Sequence, residues 1–543
     1  MKKRLLLPLL CSLTTVSSFA QSGICGDNLT WTLSNDTLTI SGTGEMTEFS
    51  SGEHVPWFNY RSQIAQVEIG NEVTSIQDFA FDNCTGLTSI SIGNSVTSLG
   101  FCAFAGCIGL TSVSIPESVT SIGMYAFSNC RKLSSVTIPN RVTNIGMRAF
   151  YLCSGLTSIC MSENVSSIES ETFIGCSSLT SVIIPNSVKS IRDSAFYACT
   201  GLTSVSMGDS VTSIGYQAFA YCSSLTSIRM SESVISIGYE AFYACSELTS
   251  MTIPNSLTSI GTGAFANTRW YDEQPDGIIY INNVLYAYKG TMLANTAIDV
   301  REGTLSISGE AFENYTNLTA VTIPNSLTSI GYSAFAHSGL TSVIMSDSVA
   351  SIGSAAFYGC NGLTSVIIPN SVTSIGNSAF YLCCGLTSVS IGNSVTSIGD
   401  EVFYGCSGLT SITNLNPVPV HIDNSTFYGV NKNTCVLKVP AGSVEWYRQA
   451  PEWQEFLPIV AIEESGMPEI PAIQAIRIYP NPTTDNFRLD GIEENTLLTI
   501  TDMTGKMIGQ QAVNPDETVE VGHWPTGVYL VNVNGKTVKI NKR

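Results

Sequence analysis

Phenylalanine recurs in this chain at positions 81, 104, 127, 150, 173, 196, 219, 242 and 265, a strict period of 23. It resumes at 312, 335, 357, 380, 403 and 427, with one-residue slips before Phe357 and before Phe427. Fifteen copies in register narrow the fold to one class. A unit this short cannot bury its own apolar face, so successive copies must stack and share a continuous core.

The unit can be read residue by residue. In the copy that begins at Ala195-Phe196, Leu202, Val205 and Met207 follow an L-x-x-V-x-φ pattern, the alternation of a short strand with period 2. A Gly, Asp, Asn or Pro-Asn turn follows, as at Pro254-Asn255 and Pro369-Asn370. Val211 and Ile214 then point back inward, Gly215 makes a second corner, and Ala218-Phe219 plug the far side. The fold class expected is mainly β: a solenoid of about 15 coils and roughly 70 Å, at about 4.8 Å per stacked strand, with parallel sheets along its faces.

Cysteine stands three residues after the Phe in eleven units, at 84, 107, 130, 153, 176, 199, 222, 245, 360, 383 and 406. Stacking puts these thiols in one ladder. An unbroken ladder shows no pairing preference for disulfides, and Thr268, Tyr315 and Ser338 replace the thiol in other units. The expectation is a column of small buried hydrophobes with weak hydrogen bonds to backbone. No C-x-x-C or Cys/His cluster suggests a metal.

Charged residues make up only 12% of the 543 and the formal charge is −19, which disfavours nucleic acid and anionic membranes as partners. Lys2, Lys3 and Arg4, an apolar run from Leu5 to Leu13, and Ser18-Phe19-Ala20 read as a secretory signal (1–20) cleaved between Ala20 and Gln21. No later stretch is apolar for long enough to span a membrane.

Three segments depart from the period. Residues 21–70 read as an N-terminal cap with a hairpin of Leu29–Leu33 and Leu38–Gly42, ahead of a solenoid over 71–412. Residues 266–311 interrupt the array, and Arg269 to Tyr288 read as a hairpin about an Asn282-Asn283 turn. Its aromatics either project as a lateral knob or pack on neighbouring coils. Residues 413–465 read as a closing cap, with a last strand at 435–440 and a helix from Val444 to Phe456. A linker (466–475) and a region with a different pattern (476–543) follow. That region carries Tyr479-Pro480-Asn481-Pro482, then Asp502-Met503-Thr504-Gly505-Lys506, then Gly527-Val528-Tyr529-Leu530, with a basic end. Strands at 497–501, 518–521 and 528–533 suggest a small β-sandwich.

The Ala-Phe-x-x-Cys-x-x-Leu-Thr-Ser-Val unit resembles the BspA-like (Treponema pallidum type) leucine-rich repeats over roughly residues 60–430. The four elements of 476–543 resemble the C-terminal sorting domain of type IX secretion cargo of Bacteroidetes. The first resemblance implies a curved solenoid and a surface or secreted protein, in some members an adhesin for host matrix proteins or other bacteria. The second implies recognition by the type IX secretion machinery and delivery to the cell surface or beyond it. Asp-Ser/Thr-apolar triplets such as Asp209-Ser210-Val211 resemble an O-glycosylation motif of the same bacteria.

Catalysis is not expected. The four His, at 54, 337, 421 and 523, lie in different segments, and no phosphate loop, zinc or calcium motif is present, so no cofactor is implied. The candidate sites are therefore surfaces. The outward residue of each strand varies along the array, giving a polar, almost uncharged face with Ile183, Ile344 and Ile367 as apolar spots and Arg229 as a charge. A second column carries Tyr197, Tyr243, Tyr358, Tyr381 and Tyr404 directly after the Phe. Either suits multivalent contact with host matrix or microbial surface macromolecules. The competing readings are a passive surface coat without a ligand and tyrosines that only pack on one another. Ice or crystal binding through Ser/Thr ladders is weaker, because Ile and Arg interrupt the ladder.

Overall fold

A computed structural model of the chain describes residues 20–462 and, further on, 477–479, 484–490, 496–502, 506–514, 517–533 and 536–542. The signal segment up to Phe19, the whole of the linker (466–475), Pro480-Asn481-Pro482 and Met503-Thr504-Gly505 lie outside the described residues. Contacts divide the chain into two compact units, Met1–Val439 with Ser443–Ile459, and Pro440–Gly442 with Val460–Arg543.

In the first unit each coil has three sides. The first is a three-residue strand such as Ser204–Ser206, paired in parallel with Ser181–Ile183 of the coil before. The second is a two-residue strand, with Ser190, Ser213, Ser236 and Ser259 in register down one ladder. The third side is a turn that nonetheless pairs between coils. The N–H groups of Ser194, Phe196 and Ala198 donate to the carbonyls of Tyr216, Ala218 and Ala220 at 2.7, 2.7 and 2.8 Å. Ser194 and Ala198 achieve this at φ 53° and 56°. Glycine fills the Ala198 place at Gly106, Gly175, Gly359 and Gly405, where φ is 66–70°, because the left-handed region costs glycine nothing.

The interior is a stack of rings. From Phe81 to Phe265 successive phenylalanines are fully buried, with centroids 5.1–5.5 Å apart and planes within 3–13°. Such spacing is offset stacking, worth about 0.5–1.5 kcal/mol per pair beyond the burial itself. Trp57 supplies a rung before Phe81, stacked on it at 5.6 Å with its indole N–H donating to the Ala80 carbonyl at 2.7 Å. At the far end Phe427 meets Trp453 at 5.5 Å and Phe456 at 5.2 Å.

The interruption at 266–311 is less than the sequence suggests. Tyr288 stands 23 residues after Phe265 and takes a phenylalanine's place in the backbone. Its N–H donates to Ala311 at 2.9 Å, as that of Phe312 donates to Ala334 at 2.8 Å. Thr296–Asp299 and Ser306–Ile307 fill the two strand positions of the coil that follows. Counting Trp57 and Tyr288 beside the fifteen phenylalanines, the solenoid has about 17 turns. The hairpin itself is Gly277–Ile281 against Val284–Lys289, closed at Asn282-Asn283 as expected. Arg269–Asp272 is not part of it but a single helical turn, capped by the Thr268 hydroxyl, which accepts from the Tyr271 N–H at 3.1 Å. The aromatics pack inward: Trp270 and Tyr286 lie edge-on to Phe265, and the Tyr286 hydroxyl accepts the Phe265 N–H at 2.8 Å.

At the N-terminal end β1 (Gln21–Gly26), β2 (Leu29–Ser34) and β3 (Thr37–Gly42) form an antiparallel sheet. β4 (Gln66–Ile69) adds to it in parallel and starts the ladder. The two-residue loop between β2 and β3 has Asn35 and Asp36 at φ 47° and 63°, the conformation whose twist suits a tight hairpin. Near residue 440, Val436–Val439 pairs with Ser411–Asn414 as expected, but it is not the last strand, because Ile459–Ala461 follows it in the same sheet. The helix expected from Val444 to Phe456 ends at Gln449 instead, and Trp453–Glu455 forms a separate 3-10 turn. Pro451 is the reason: it drives the residue before it, Ala450, to extended backbone at ψ 131°.

The second unit has two antiparallel sheets. One joins Arg477–Tyr479, Asn486–Asp490 and Thr518–Glu520. The other joins Met507–Val513, Thr496–Asp502, Gly527–Val533 and Lys536–Lys542. Phe487, Leu489, Leu498, Ile500, Val531 and Ile540 share one core between them. No helix among the described residues is long and apolar enough to cross a membrane.

Candidate functional site

The strand alternation turns the first and third residues of each three-residue strand out to solvent, and the third varies along the array. Backbone register sets the third residues in a column, with Ile183 beside Ser206, Ser206 beside Arg229 and Arg229 beside Thr252. Ile183, Ile344 and Ile367 are 70%, 56% and 52% exposed, against 2% for the inward Val182 and Val366. Ile344 and Ile367 hold the same place in consecutive coils, so two exposed apolar side chains fall on neighbouring strands of this face. Arg229 is exposed.

The column is longer and more charged than its sequence signature. Glu68 pairs beside Ser91, Asp299 beside Thr322, and Lys438 beside Thr413. These three were missed because their coils lack the full repeat motif. The available signal was the plain alternation of Val67-Glu68-Ile69, Ile298-Asp299-Val300 and Leu437-Lys438-Val439.

The hydroxyls beside this column hold coils together. Thr203 Oγ donates to the Thr180 carbonyl at 2.9 Å, and Thr410 does the same to Thr387 at 3.1 Å. Thr120 and Thr212 repeat the contact on the second ladder. Committed to backbone carbonyls one coil away, these groups are poorly placed to serve as a regular array of free hydroxyls for a crystal surface.

Directly after the Phe, Tyr197, Tyr243, Tyr358, Tyr381 and Tyr404 are half-buried and Tyr428 is exposed, and each touches a tyrosine of a neighbouring coil. Tyr358, Tyr381, Tyr404 and Tyr428 stack at 4.7, 4.7 and 4.8 Å. Tyr197 and Tyr243 instead flank Tyr221 edge-on, at 5.2 and 5.4 Å. The rings therefore stiffen the third side of the coil and leave their edges to solvent.

The cysteine ladder is chemically quiet. Cys107, Cys130, Cys153, Cys176, Cys199 and Cys222 are fully buried, and each thiol donates to the carbonyl of a phenylalanine one coil back at 3.1–3.2 Å. Burial pushes the thiols of Cys84, Cys153 and Cys199 up to about 12 and that of Cys360 to about 11. They stay protonated donors at neutral pH, unfit as nucleophiles or metal ligands. Among the described residues no three His, Cys, Asp or Glu converge as metal ligands.

The BspA type leucine rich repeat region, in six copies, matches residues 56–180, 166–289 and 280–410. The secretion system C-terminal sorting domain matches 477–543. Similar solved structures include a leucine-rich repeat protein from Eubacterium ventriosum, 23% identical, covering 71% of this chain and 95% of that one, with a TM-score of 0.38. Another, from Bacteroides ovatus, is 23% identical, covers 77% and 99%, and has a TM-score of 0.30. The leucine rich repeat protein of T. pallidum is 24% identical, covers 39% and 90%, and has a TM-score of 0.25. Among curated proteins none matches the chain. The sorting domain directs the chain through type IX export to the cell surface or the medium.

Proposed function

This chain belongs to the BspA type leucine rich repeat family, and from that premise we propose that it is an adhesive scaffold which grips a large host or microbial macromolecule along its strand face. The observation that carries the reading is the run of exposed outward strand residues, from Glu68 to Thr252 and again from Asp299 to Lys438 beyond the hairpin coil, with Ile344 and Ile367 uncovered on consecutive coils. Isolated exposed apolar residues are ordinary, but two on consecutive coils beside weakly polar neighbours offer a centre that loses water on contact. A long repetitive face gains affinity by many weak contacts rather than by one deep pocket. Binding rather than catalysis is the role that fits inert thiols and dispersed histidines.

The test is a pull-down of the exported chain against purified host matrix proteins and whole neighbouring bacteria in physiological salt. A saturable partner that is lost on changing both Ile344 and Ile367 to Asp, with the melting temperature kept, supports the strand face. No partner for a folded chain favours a structural coat. A partner retained by the double variant moves the contact to the tyrosine side.

A further inference from the structure

The coil carried by the hairpin is shorter at one corner than its neighbours. Five residues lead from Ile260 to Phe265 and from Ile307 to Phe312, but only three from Leu285 to Tyr288. Val284, Leu285 and Tyr286 are all buried, and over them Ser306 Oγ donates to the Thr258 carbonyl at 2.6 Å. The coils on either side therefore close on each other at Thr262 and Gly309, where a Cβ on Gly309 would lie 2.1 Å from the Thr262 hydroxyl.

Thr262 and Gly309 interrupt a column of tyrosines that stands three residues before each plug, with Tyr216 and Tyr239 on one side and Tyr332 on the other. The result is a notch of about 290 Å³ between Tyr239 and Tyr332, with Ser259, Thr262, Ser306 and Ser308 in its lining. Tyr216 and Tyr239 stack at 5.5 Å with planes 7° apart, so the second face of the Tyr239 ring is turned away from Tyr216 and toward the notch. Ser308 stands where the neighbouring coils have Gly261 and Gly331. It is 3% exposed, and its hydroxyl has no hydrogen-bond partner. A buried hydroxyl left unpaired is destabilising, and this one lines the notch. Glu240 holds the Tyr239 phenol up to about 12 through a hydrogen bond, and burial, with Glu313 and Glu240 nearby, raises the Glu310 carboxyl.

We propose that this notch is a binding site for a neutral oligosaccharide, stacked on Tyr239 and Tyr332 and hydrogen-bonded to the Ser308 hydroxyl. A ring with an apolar face and a rim of hydroxyls matches aromatic walls over a serine and threonine floor. Glu240 and Glu310 follow Tyr239 and Gly309 of the lining in sequence and put negative charge near the notch, which disfavours sialylated or sulfated glycans. This site lies on a different column from the strand face, and its occupancy does not depend on the adhesive reading.

The test is calorimetric titration of the exported chain with cellotriose, maltotriose and triacetylchitotriose, beside 3′-sialyllactose and tri-lysine. At least one neutral trisaccharide should bind saturably, and Tyr239→Ala or Tyr332→Ala should each weaken it by about tenfold. Ser308→Ala should weaken binding too while leaving the melting temperature unchanged or higher, since no internal hydrogen bond is lost. The proposal fails if no neutral trisaccharide binds, or if binding survives both tyrosine changes. It fails equally if tri-lysine is the ligand that those tyrosines hold, which would make the notch a cation site.

Discussion

The thiol of Cys199 donates to the main-chain carbonyl of Phe173 at 3.1 Å, reaching from one coil into the one before it. The same carbonyl accepts the Cys176 N–H at 3.2 Å, so each rung ties a phenylalanine to two cysteines. Cys199→Ala removes one of those two donors and leaves a small void. A loss of about 1–2 kcal/mol in urea unfolding is expected. An unchanged midpoint would mean that the thiol only fills space.

The ladder also makes stability sensitive to alkali. Folded, Cys84, Cys153 and Cys199 keep their protons to about pH 12, whereas an unfolded thiol ionises near pH 8.5. The stabilisation is complete below the unfolded value and is lost as pH rises toward the folded one. Each such thiol adds a slope of about −1.4 kcal/mol per pH unit in that window. Urea midpoints should be flat from pH 6 to 8 and fall steeply from 9 to 11. Cys-to-Ala changes at several rungs should flatten the fall.

Thiol labelling separates the two cysteine populations. Cys160 and Cys384 are exposed and outside the ladder. In the folded chain at pH 8 a disulfide reagent should modify these two quickly, and the buried ladder only after denaturant is added. Mass spectrometry of the labelled peptides gives the answer directly.

Phe196 touches Phe173 at 5.1 Å and Phe219 at 5.2 Å and is wholly buried. Phe196→Ala should cost about 3–5 kcal/mol, concentrated in coils on both sides because stacking is a nearest-neighbour term. Hydrogen exchange should show protection lost around residues 170–220 while distant coils keep theirs.

Ala198 at φ 56° and Ala195, buried nearby, should respond oppositely to glycine. Ala198→Gly relieves a left-handed residue and should leave the melting temperature unchanged or raise it, by up to about 1 kcal/mol in stability. Ala195→Gly loses a packed methyl and stiffens nothing, and should cost about 1 kcal/mol or more. Equal losses would contradict the assigned backbone of the third side.

Much of this was legible because the repeat states the same constraint many times. The inward Leu202, Val205 and Ile214, the corner at Gly215 and the plug at Phe219 recur at fixed spacing, so the coil could be written down before any contact was known. The exposure of Ile183, Ile344 and Ile367 followed from alternation alone, since period 2 sends every second strand residue outward. Their use as a binding surface did not follow, because alternation specifies a direction and not a partner.

Where one residue type replaces another in the same role, the pattern loses sight of the fold. Trp57 is a rung of the ring stack and Tyr288 holds a phenylalanine's place in the backbone, yet neither carries the Ala-Phe signature, and only the stacking on Phe81 and the backbone bond to Ala311 reveal them. Pro451 cut a helix that the apolar spacing from Val444 to Phe456 had joined. The notch at Thr262 and Gly309 exists because a corner two residues shorter lets coils meet that are not neighbours in sequence. A local pattern determines how a coil closes on itself. Which coil lies against it, and which hydroxyl is then left without a partner, is decided by stacking between residues about one period or more apart.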